Sequence, residues 1–135
     1  MMEKDYLSKN HSKFLLKYHL IFVCKYRIRL LYEKVDSTMK NILLDIANSS
    51  DFKIEVMETD KDHIHLLVRS EPKLSPLQIV RKLKQESTIR IWKLFPEFLR
   101  RCFYKEHTFW TDGYFVSTIG NVSQDKIKQY IEKQG

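Results

Sequence analysis

Cysteine, glycine and long apolar runs are all scarce in this 135-residue chain. Its two cysteines, Cys24 and Cys102, lie far apart and in no ligand spacing, which argues against a disulfide framework and suits a reducing compartment. No apolar run approaches the roughly 20 residues of a membrane span. The polar N-terminus has no apolar signal-peptide region. These absences predict a soluble cytoplasmic protein that does not engage a membrane.

The chain also lacks a Gly/Ser linker, an internal repeat and a low-complexity tract. We therefore expect one domain over residues 1–135, long enough to bury a modest core. Hydrophobic residues make up 43% of the sequence and aromatic residues 13%, which is typical of a folded chain and not of a disordered one.

A formal charge of +7 and a pI near 9.4 favour an anionic partner. Aromatic residues lie among the cations, which suits single-stranded nucleic acid, because unpaired bases need stacking platforms as well as phosphate contacts. The alternative is a lysine-rich surface over an aromatic core, and charge alone favours nucleic acid by a small margin. The cations group around the first predicted strand and in a later helix: Lys13, Lys17, Lys25, Arg27, Arg29, and Arg81, Lys82, Lys84, Arg90, Lys93.

The apolar patterns predict strands over residues 14–23, 52–58, 63–69 and 114–119, with a four-residue turn at 59–62. They predict helices over residues 35–47, 76–95 and from 123 onwards, while residues 97–111 show no clear pattern beyond a possible short helix. The order β-α-β-β-α-β-α indicates an α+β fold: a ferredoxin-like antiparallel sheet with helices on one side, plus a C-terminal helix.

Three details of this pattern are specific enough to check. Strand 52–58 alternates, with Phe52, Ile54 and Val56 on one side and Lys53, Glu55 and Met57 on the other. Ser75 is expected to cap the long helix, with Pro76 at its first position. Within that helix the expected inward residues are Leu77, Val80, Leu83, Ile91 and Leu94.

His63 and His65 flank one apolar residue on the third predicted strand. Because side chains alternate along a strand, both imidazoles lie on one face, roughly 7 Å apart, and can converge on one divalent ion. Asp60 and Asp62 could supply an oxygen ligand or orient an imidazole N–H. Exposed histidines without a ligand fit the pattern about equally well, and Asp60 is also typical of a charged turn. His19, within an apolar strand, is interpreted as a core histidine.

Tyr130 and Gln134 are four residues apart and share a face of the last predicted helix. A tyrosine beside a metal-ligating amide fits a phosphoryl-transfer nucleophile. Because the phenol pKa is near 10, it needs a proton acceptor or a nearby cation to react at neutral pH. Taken alone, the pair fits an amphipathic helix with an ordinary surface tyrosine better.

Four blocks of sequence together resemble the small single-tyrosine HUH transposases of the IS200/IS605 insertion-sequence family. The blocks are YHLIFVCKYR at 18–27, TDKDHIH at 59–65, FW at 109–110 leading into GYFVSTIGN at 113–121, and IKQYIEKQ at 127–134. They occur in the family's order and spacing over nearly the whole chain.

The resemblance implies that His63 and His65 bind Mg²⁺ or Mn²⁺, with Gln134 as a further ligand and Asp60 as an additional candidate. It implies that Tyr130 attacks a phosphodiester of single-stranded DNA and forms a 5′-phosphotyrosine with a free 3′-OH. That linkage retains the energy for rejoining, so no ATP and no phosphate-binding glycine loop are needed, and no such loop is present.

The family's substrates imply further partners and surfaces. The substrates of the family are DNA hairpins at the ends of the mobile element, with flanking single strands. A homodimer binds them, and its active sites can be composite. The expected DNA-binding residues are Lys13, Lys25, Arg27, Arg29, Arg81, Lys82 and Lys84. Of these, Arg81, Lys82 and Lys84 are expected to contact phosphates.

Three alternatives stay open from the sequence. The chain could be a domesticated relative that cuts or binds dispersed hairpin repeats, or a metal-dependent hydrolase that uses water and not Tyr130. It could also be a non-catalytic nucleic-acid-binding module. The absence of aromatic residues from strand 63–69 argues against that last reading, because RNA-recognition sheets stack bases on aromatics of their central strands.

Overall fold

A computed structural model describes residues 16–118 and 124–134. The four strands form one antiparallel sheet in the order β2-β3-β1-β4. With a helix after β1 and another after β3, this is the predicted ferredoxin-like α+β arrangement, which is confirmed. The elements are β1 Leu16–Val23, a 3₁₀ turn Lys25–Arg27, α1 Glu33–Asn48, β2 Phe52–Asp60, β3 His63–Ser70, α2 Pro76–Leu94, α3 Pro96–Cys102, β4 Phe115–Thr118 and α4 Gln124–Lys133.

The hydrophobic core lies on one face of the sheet. Along β3, buried and half-buried residues alternate, with Ile64, Leu66 and Val68 fully buried. They form one cluster with Leu20 and Phe22 of β1 and with the apolar stripes of α1 and α2. Burial of each large apolar side chain stabilises the fold by about 1.5–3 kcal/mol. The other half of the β3 side chains, including both histidines, therefore lies on the opposite face.

The long helix α2 begins with the predicted cap, but the burial of two leucines near its ends differs from the prediction. Ser75 Oγ accepts a hydrogen bond from Gln78 N, and Gln78 Oε1 accepts one from Ser75 N, which is a complete capping box with Pro76 in the first turn. The prediction that Leu77 and Leu94 face inward is wrong, because they are 39% and 59% exposed. Both lie in terminal turns, beyond the central part of the helix that the core covers.

A β-bulge overturns the predicted alternation of β2. Ile54 pairs with Val68 but Val56 pairs with Leu67, so one extra residue is inserted between them. Val56 is consequently exposed, whereas Met57 packs against the core. The β2–β3 turn is also shorter than predicted, because β2 continues to Asp60 and only two residues connect the strands.

The remaining boundaries agree within the described ranges. Residues 14–15, 119 and 123 of the predicted elements and the candidate DNA contact Lys13 lie outside the described residues. Part of segment 97–111 forms α3, which begins directly at Pro96. Within the described ranges, no helix has the length and apolar character needed to span a membrane.

Candidate functional site

The two histidines of β3 lie on the sheet face opposite the core. In the register of the sheet, His65 pairs with Ile21 of β1, and Ile21 pairs with Phe115 of β4. Because directly paired residues share a face, these three side chains form one row across the sheet. His63 pairs with Val23, one row further along. Both predicted metal ligands are therefore brought to one face, as the sequence pattern indicates.

Asp62 orients the first histidine. Its Oδ1 lies 2.8 Å from His63 Nδ1, and because an ionised carboxylate can only accept, the ring donates its Nδ1–H. The Nε2 lone pair of His63 is then available for a ligand, in the arrangement typical of metal-binding histidines. Arg27 Nε lies 3.5 Å from the second carboxylate oxygen of Asp62.

His19 contacts the second histidine, so its interpretation as a core histidine is wrong. His19 Nδ1 lies 2.9 Å from His65 Nε2, with the ring centres 5.1 Å apart. His65 Nδ1 lies 3.8 Å from a carboxylate oxygen of Glu58. Burial, followed by the neighbouring His19, lowers the pKa of His65 below its ordinary value, which favours the neutral imidazole that binds metals. Asp60 instead accepts a hydrogen bond from Lys61 N in the turn.

The tyrosine and glutamine of α4 meet at a glycine on the same face. Tyr130 Oη and Gln134 Oε1 each lie 3.6 Å from the position that a Cβ atom would take on Gly113. The Tyr130 ring also packs against Phe115, with ring centres 5.7 Å apart. We call Thr111, Gly113 and Phe115 the cradle. Since Phe115 belongs to the row of His65, Tyr130 lies on the histidine face, about two strand spacings or roughly 10 Å from that histidine.

Tyr130 has an unusual environment for a phenol. Its hydroxyl oxygen and Thr111 Oγ1 are both buried, and neither makes a well-formed hydrogen bond to the described residues. Burial raises the pKa of Tyr130 to about 12, while the nearby Thr111 hydroxyl acts in the opposite direction. A buried polar atom without a partner is rare and is often explained by a group that binds there.

Backbone hydrogen bonds join the cradle to the histidine pair. Cys24 N donates to Asp62 O, and Thr111 N donates to Val23 O, each at 2.8 Å. Cys24 also forms an isolated bridge with Trp110. The end of β1 is therefore hydrogen-bonded to Asp62, which precedes His63, on one side and to Thr111 of the cradle on the other.

The donor set fits a divalent metal ion. Within residues 16–118 and 124–134, no three His, Cys, Asp or Glu side chains converge as a ligand set, so a complete site needs a donor of another type. Gln134 Oε1, an amide oxygen that lies at Gly113 on the histidine face, is the candidate for that donor. Two imidazole nitrogens and one amide oxygen form a mixed set that Mn²⁺ accepts readily, while Mg²⁺ prefers oxygen ligands alone.

The candidate DNA-binding residues have different surroundings. Arg29 and Arg81 are exposed. Lys25 lies 3.8 Å from Asp112, and Lys82 pairs with Glu86 on its own helix at 3.2 Å. Lys84 is half-buried and donates to two backbone carbonyls. Arg27 is held between Asp62 and the Glu132 carbonyl, which lies 3.5 Å from a guanidinium nitrogen.

Sequence reasoning missed two contributors to the site, Gly113 and His19. A periodic pattern assigns His19 to a strand but does not reveal which residue of another strand lies diagonal to it. The only signal was that an imidazole in an otherwise apolar strand needs a polar partner.

A ferredoxin-like sheet with paired histidines on its open face and a tyrosine on α4 is the arrangement predicted from the resemblance to single-tyrosine transposases. The chain belongs to the IS200-like transposase family, whose model matches residues 12–134. It is 31% identical over 130 residues to the transposase for insertion sequence element IS200 of Salmonella typhimurium, covering 96% of this chain and 84% of that protein.

Two further relatives come from Deinococcus radiodurans. The ISDra2 transposase TnpA is 32% identical over 119 residues, covering 88% of this chain and 84% of that one. The crystal structure of a candidate transposase from strain R1 superposes with a TM-score of 0.80 at 33% identity, covering 88% and 90% of the two chains. A more distant tyrosine transposase, solved with a REP hairpin, shares the fold with a TM-score of 0.56 at 12% identity, over 88% and 64% of the chains.

Proposed function

We propose that this transposase cleaves and rejoins single-stranded DNA at hairpin-marked ends of an insertion sequence, with Tyr130 as the nucleophile. The observation that carries the proposal is the common position of Tyr130 Oη and Gln134 Oε1 at Gly113, on the sheet face that bears His65. A surface tyrosine on an ordinary amphipathic helix would have its hydroxyl in water. Here the hydroxyl is buried without a well-formed hydrogen bond to the described residues.

The chain's own groups divide the work as follows. His63, His65 and Gln134 would hold Mg²⁺ or Mn²⁺, which when bound polarises the scissile phosphate and stabilises developing charge. Asp62 keeps His63 in the tautomer that leaves Nε2 free. Tyr130 gives its phenolic proton to water and its oxygen bonds to phosphorus, while the bond from phosphorus to the 3′ oxygen breaks and that oxygen takes up a proton from water.

The resulting 5′-phosphotyrosine makes the reaction reversible without an external energy source. A new 3′-OH attacks the same phosphorus, the bond to Tyr130 breaks, and the phenol regains its proton. Burial raises the pKa of Tyr130 to about 12, so the phenol of the free enzyme is protonated near neutral pH.

The proposed substrate is DNA with hairpins and short flanking single strands. A distant relative with the same fold was solved with a REP hairpin, and the net charge of +7 favours a polyanion. The exposed cations Arg29 and Arg81 are the best placed for phosphate contacts. We also propose a homodimer, since two hairpin-marked ends must be joined in one event.

The test incubates a labelled single-stranded hairpin oligonucleotide with protein and Mn²⁺ or Mg²⁺, followed by a denaturing gel. We expect a protein–DNA adduct that requires metal and is absent in Tyr130→Phe. Tyr104→Phe is the matched control, because Tyr104 is 82% exposed and loses only a solvated hydroxyl. Cleavage at the normal rate by Tyr130→Phe would favour a hydrolase that uses water.

The metal ligands are tested separately. We expect the double variant His63→Ala, His65→Ala to lose cleavage while still binding the hairpin. His107→Ala is the control, because His107 is not one of the predicted metal ligands and instead stacks on Trp92, with ring centres 4.1 Å apart. Undiminished cleavage by the double variant would remove the histidines from the reaction.

A further inference from the structure

Lys84 of α2 directs its ammonium group at two backbone carbonyls of the segment that carries the cradle. Its Nζ donates to Thr111 O at 2.6 Å and to Gly113 O at 2.5 Å. The same Nζ lies 5.6 Å from the centre of the Phe22 ring in the core. A charged donor with two carbonyl acceptors in a partly buried environment forms strong hydrogen bonds.

The other hydrogen bonds that this segment makes to the described residues lie at its start. Residues 111–114 lie between the isolated bridge at Trp110 and the start of β4, without regular structure of their own. Trp110 Nε1 donates to Ser87 Oγ of α2 at 3.0 Å, and Thr111 N donates to Val23 O. These bonds fix the first part of the segment, whereas the Gly113 carbonyl is held by Lys84.

We propose that Lys84 is a positioning residue for strand transfer, which clamps the Thr111 and Gly113 carbonyls and so fixes the cradle against which Tyr130 Oη and Gln134 Oε1 rest. The inference rests on the proposed function of Tyr130 and assigns a role to a residue outside the metal and nucleophile set. The proposal also gives Lys84 a role different from that of its exposed neighbour Arg81. The Lys84 ammonium faces protein carbonyls, whereas Arg81 is exposed and can contact phosphate.

The charge state agrees with this role at neutral pH. Burial lowers the pKa of Lys84 to about 8; Asp112 acts to raise it and Lys25 acts to lower it. Lys25 and Asp112 pair with each other at 3.8 Å, so their opposing effects on the ammonium partly cancel. The ammonium form is therefore the main one at pH 7.

The test compares Lys84→Met with Lys93→Met, which makes the same charge change at an exposed position in the last turn of α2. In single-turnover cleavage of a saturating hairpin oligonucleotide with Mn²⁺, we expect Lys84→Met to react about tenfold to a hundredfold more slowly, because small misplacements of reacting groups have effects of this size. The Kd for DNA and its salt dependence should stay close to those of wild type and of Lys93→Met. An unchanged rate with weakened, less salt-dependent binding would overturn the proposal and make Lys84 a phosphate contact.

A second readout does not depend on activity. In protein labelled with [¹³Cζ]-tyrosine, the Tyr130 signal is identified by its loss in Tyr130→Phe. We expect that signal to shift or broaden in Lys84→Met and to be unchanged in Lys93→Met, without metal or DNA. An unchanged signal in Lys84→Met would overturn the clamp. Should Lys84→Met not fold, Lys84→Gln, which keeps an amide donor, replaces it with a smaller change of the same kind expected.

These outcomes separate the two proposals. If Tyr130→Phe still forms the adduct, the proposed nucleophile is wrong whatever the Lys84 variants do. If Tyr130→Phe is inactive and Lys84→Met retains both the wild-type rate and the wild-type tyrosine signal, only the clamp is wrong.

Discussion

At the scale of single residues, the hydrogen bond from His63 to Asp62 distinguishes two acids that the sequence presents alike. Asp62 Oδ1 accepts from the imidazole, whereas Asp60 Oδ1 accepts from Lys61 N in the turn. A carboxylate that fixes a ligating imidazole typically changes metal affinity by about 10–100-fold when removed. Asp60 pairs with His63 between β2 and β3, so both acids are neighbours of His63 and their effects on it can be compared directly.

We therefore expect Asp62→Asn to weaken Mn²⁺ binding by about 10–100-fold and Asp60→Asn to change it by less than about threefold. Titration calorimetry with Mn²⁺ alone measures both. A larger loss in Asp60→Asn than in Asp62→Asn would make Asp60 the ligand and contradict the assignment.

The raised pKa of Tyr130 predicts how cleavage depends on pH. Burial places this pKa at about 12, so near neutral pH the reactive phenolate is a small fraction that grows tenfold with each pH unit. Burial lowers the pKa of Lys84 to about 8, so the ammonium that holds the cradle begins to lose its proton above pH 7 and the profile is taken below that pH. If ionisation precedes attack, the logarithm of the single-turnover rate rises with a slope of about 1 between about pH 6 and 7. A flat profile there, with metal saturating, would contradict this order of events.

At the scale of elements, the β2 bulge makes adjacent apolar residues unequal. Val56 is 43% exposed, whereas Met57 packs on the core. We expect Val56→Ser to change the free energy of unfolding by less than about 0.5 kcal/mol and Met57→Ser to lower it by about 2 kcal/mol. Urea denaturation of both variants measures this. If Val56→Ser lowered the free energy of unfolding more than Met57→Ser, the result would contradict the bulge and favour the simple alternation predicted from the sequence.

The contact between α4 and Gly113 has room for a Cβ atom, whereas a larger side chain would displace Tyr130 and Gln134. A Cβ there would meet Tyr130 Oη and Gln134 Oε1 at 3.6 Å, which is ordinary van der Waals contact. Gly113→Ala should therefore keep adduct formation within about threefold, while the larger Gly113→Val should lower it by about tenfold or more by displacing both groups. Equal activity of the two variants, at equal thermal stability, would mean that the cradle does not hold the nucleophile.

At the scale of the whole molecule, the strand order, the Ser75 cap of α2 and the faces of β3 were predictable because local periodicity, cap residues and short connections determine them. The strand period placed His63 and His65 on one face, and Ser75 followed by Pro76 predicted the start of α2. The bulge, the His19–His65 contact and the Lys84 clamp were not predictable. Each depends on strand register or on packing between elements distant in sequence, for which local patterns carry no signal.

The net charge of +7 makes salt dependence the corresponding whole-molecule prediction. Arg81 is exposed on α2, so Arg81→Ala should weaken hairpin binding and reduce the slope of log Kd against log salt by about 1. Fluorescence anisotropy over a salt series measures the slope. Lys84→Met serves as the internal comparison, because its ammonium faces carbonyls, and an equal reduction in both variants would contradict that difference.

The central claim, that Tyr130 becomes covalently joined to DNA, is tested most directly by mass spectrometry of the adduct. After cleavage of a hairpin oligonucleotide with Mn²⁺, nuclease trimming and tryptic digestion, Tyr130 lies in the peptide of residues 129–133. We predict that this peptide carries a nucleotide remnant linked through phosphate to the tyrosine oxygen, and that Tyr130→Phe yields no modified peptide. A phosphate-linked nucleotide on any other residue, or efficient cleavage with no linked peptide, would contradict the account.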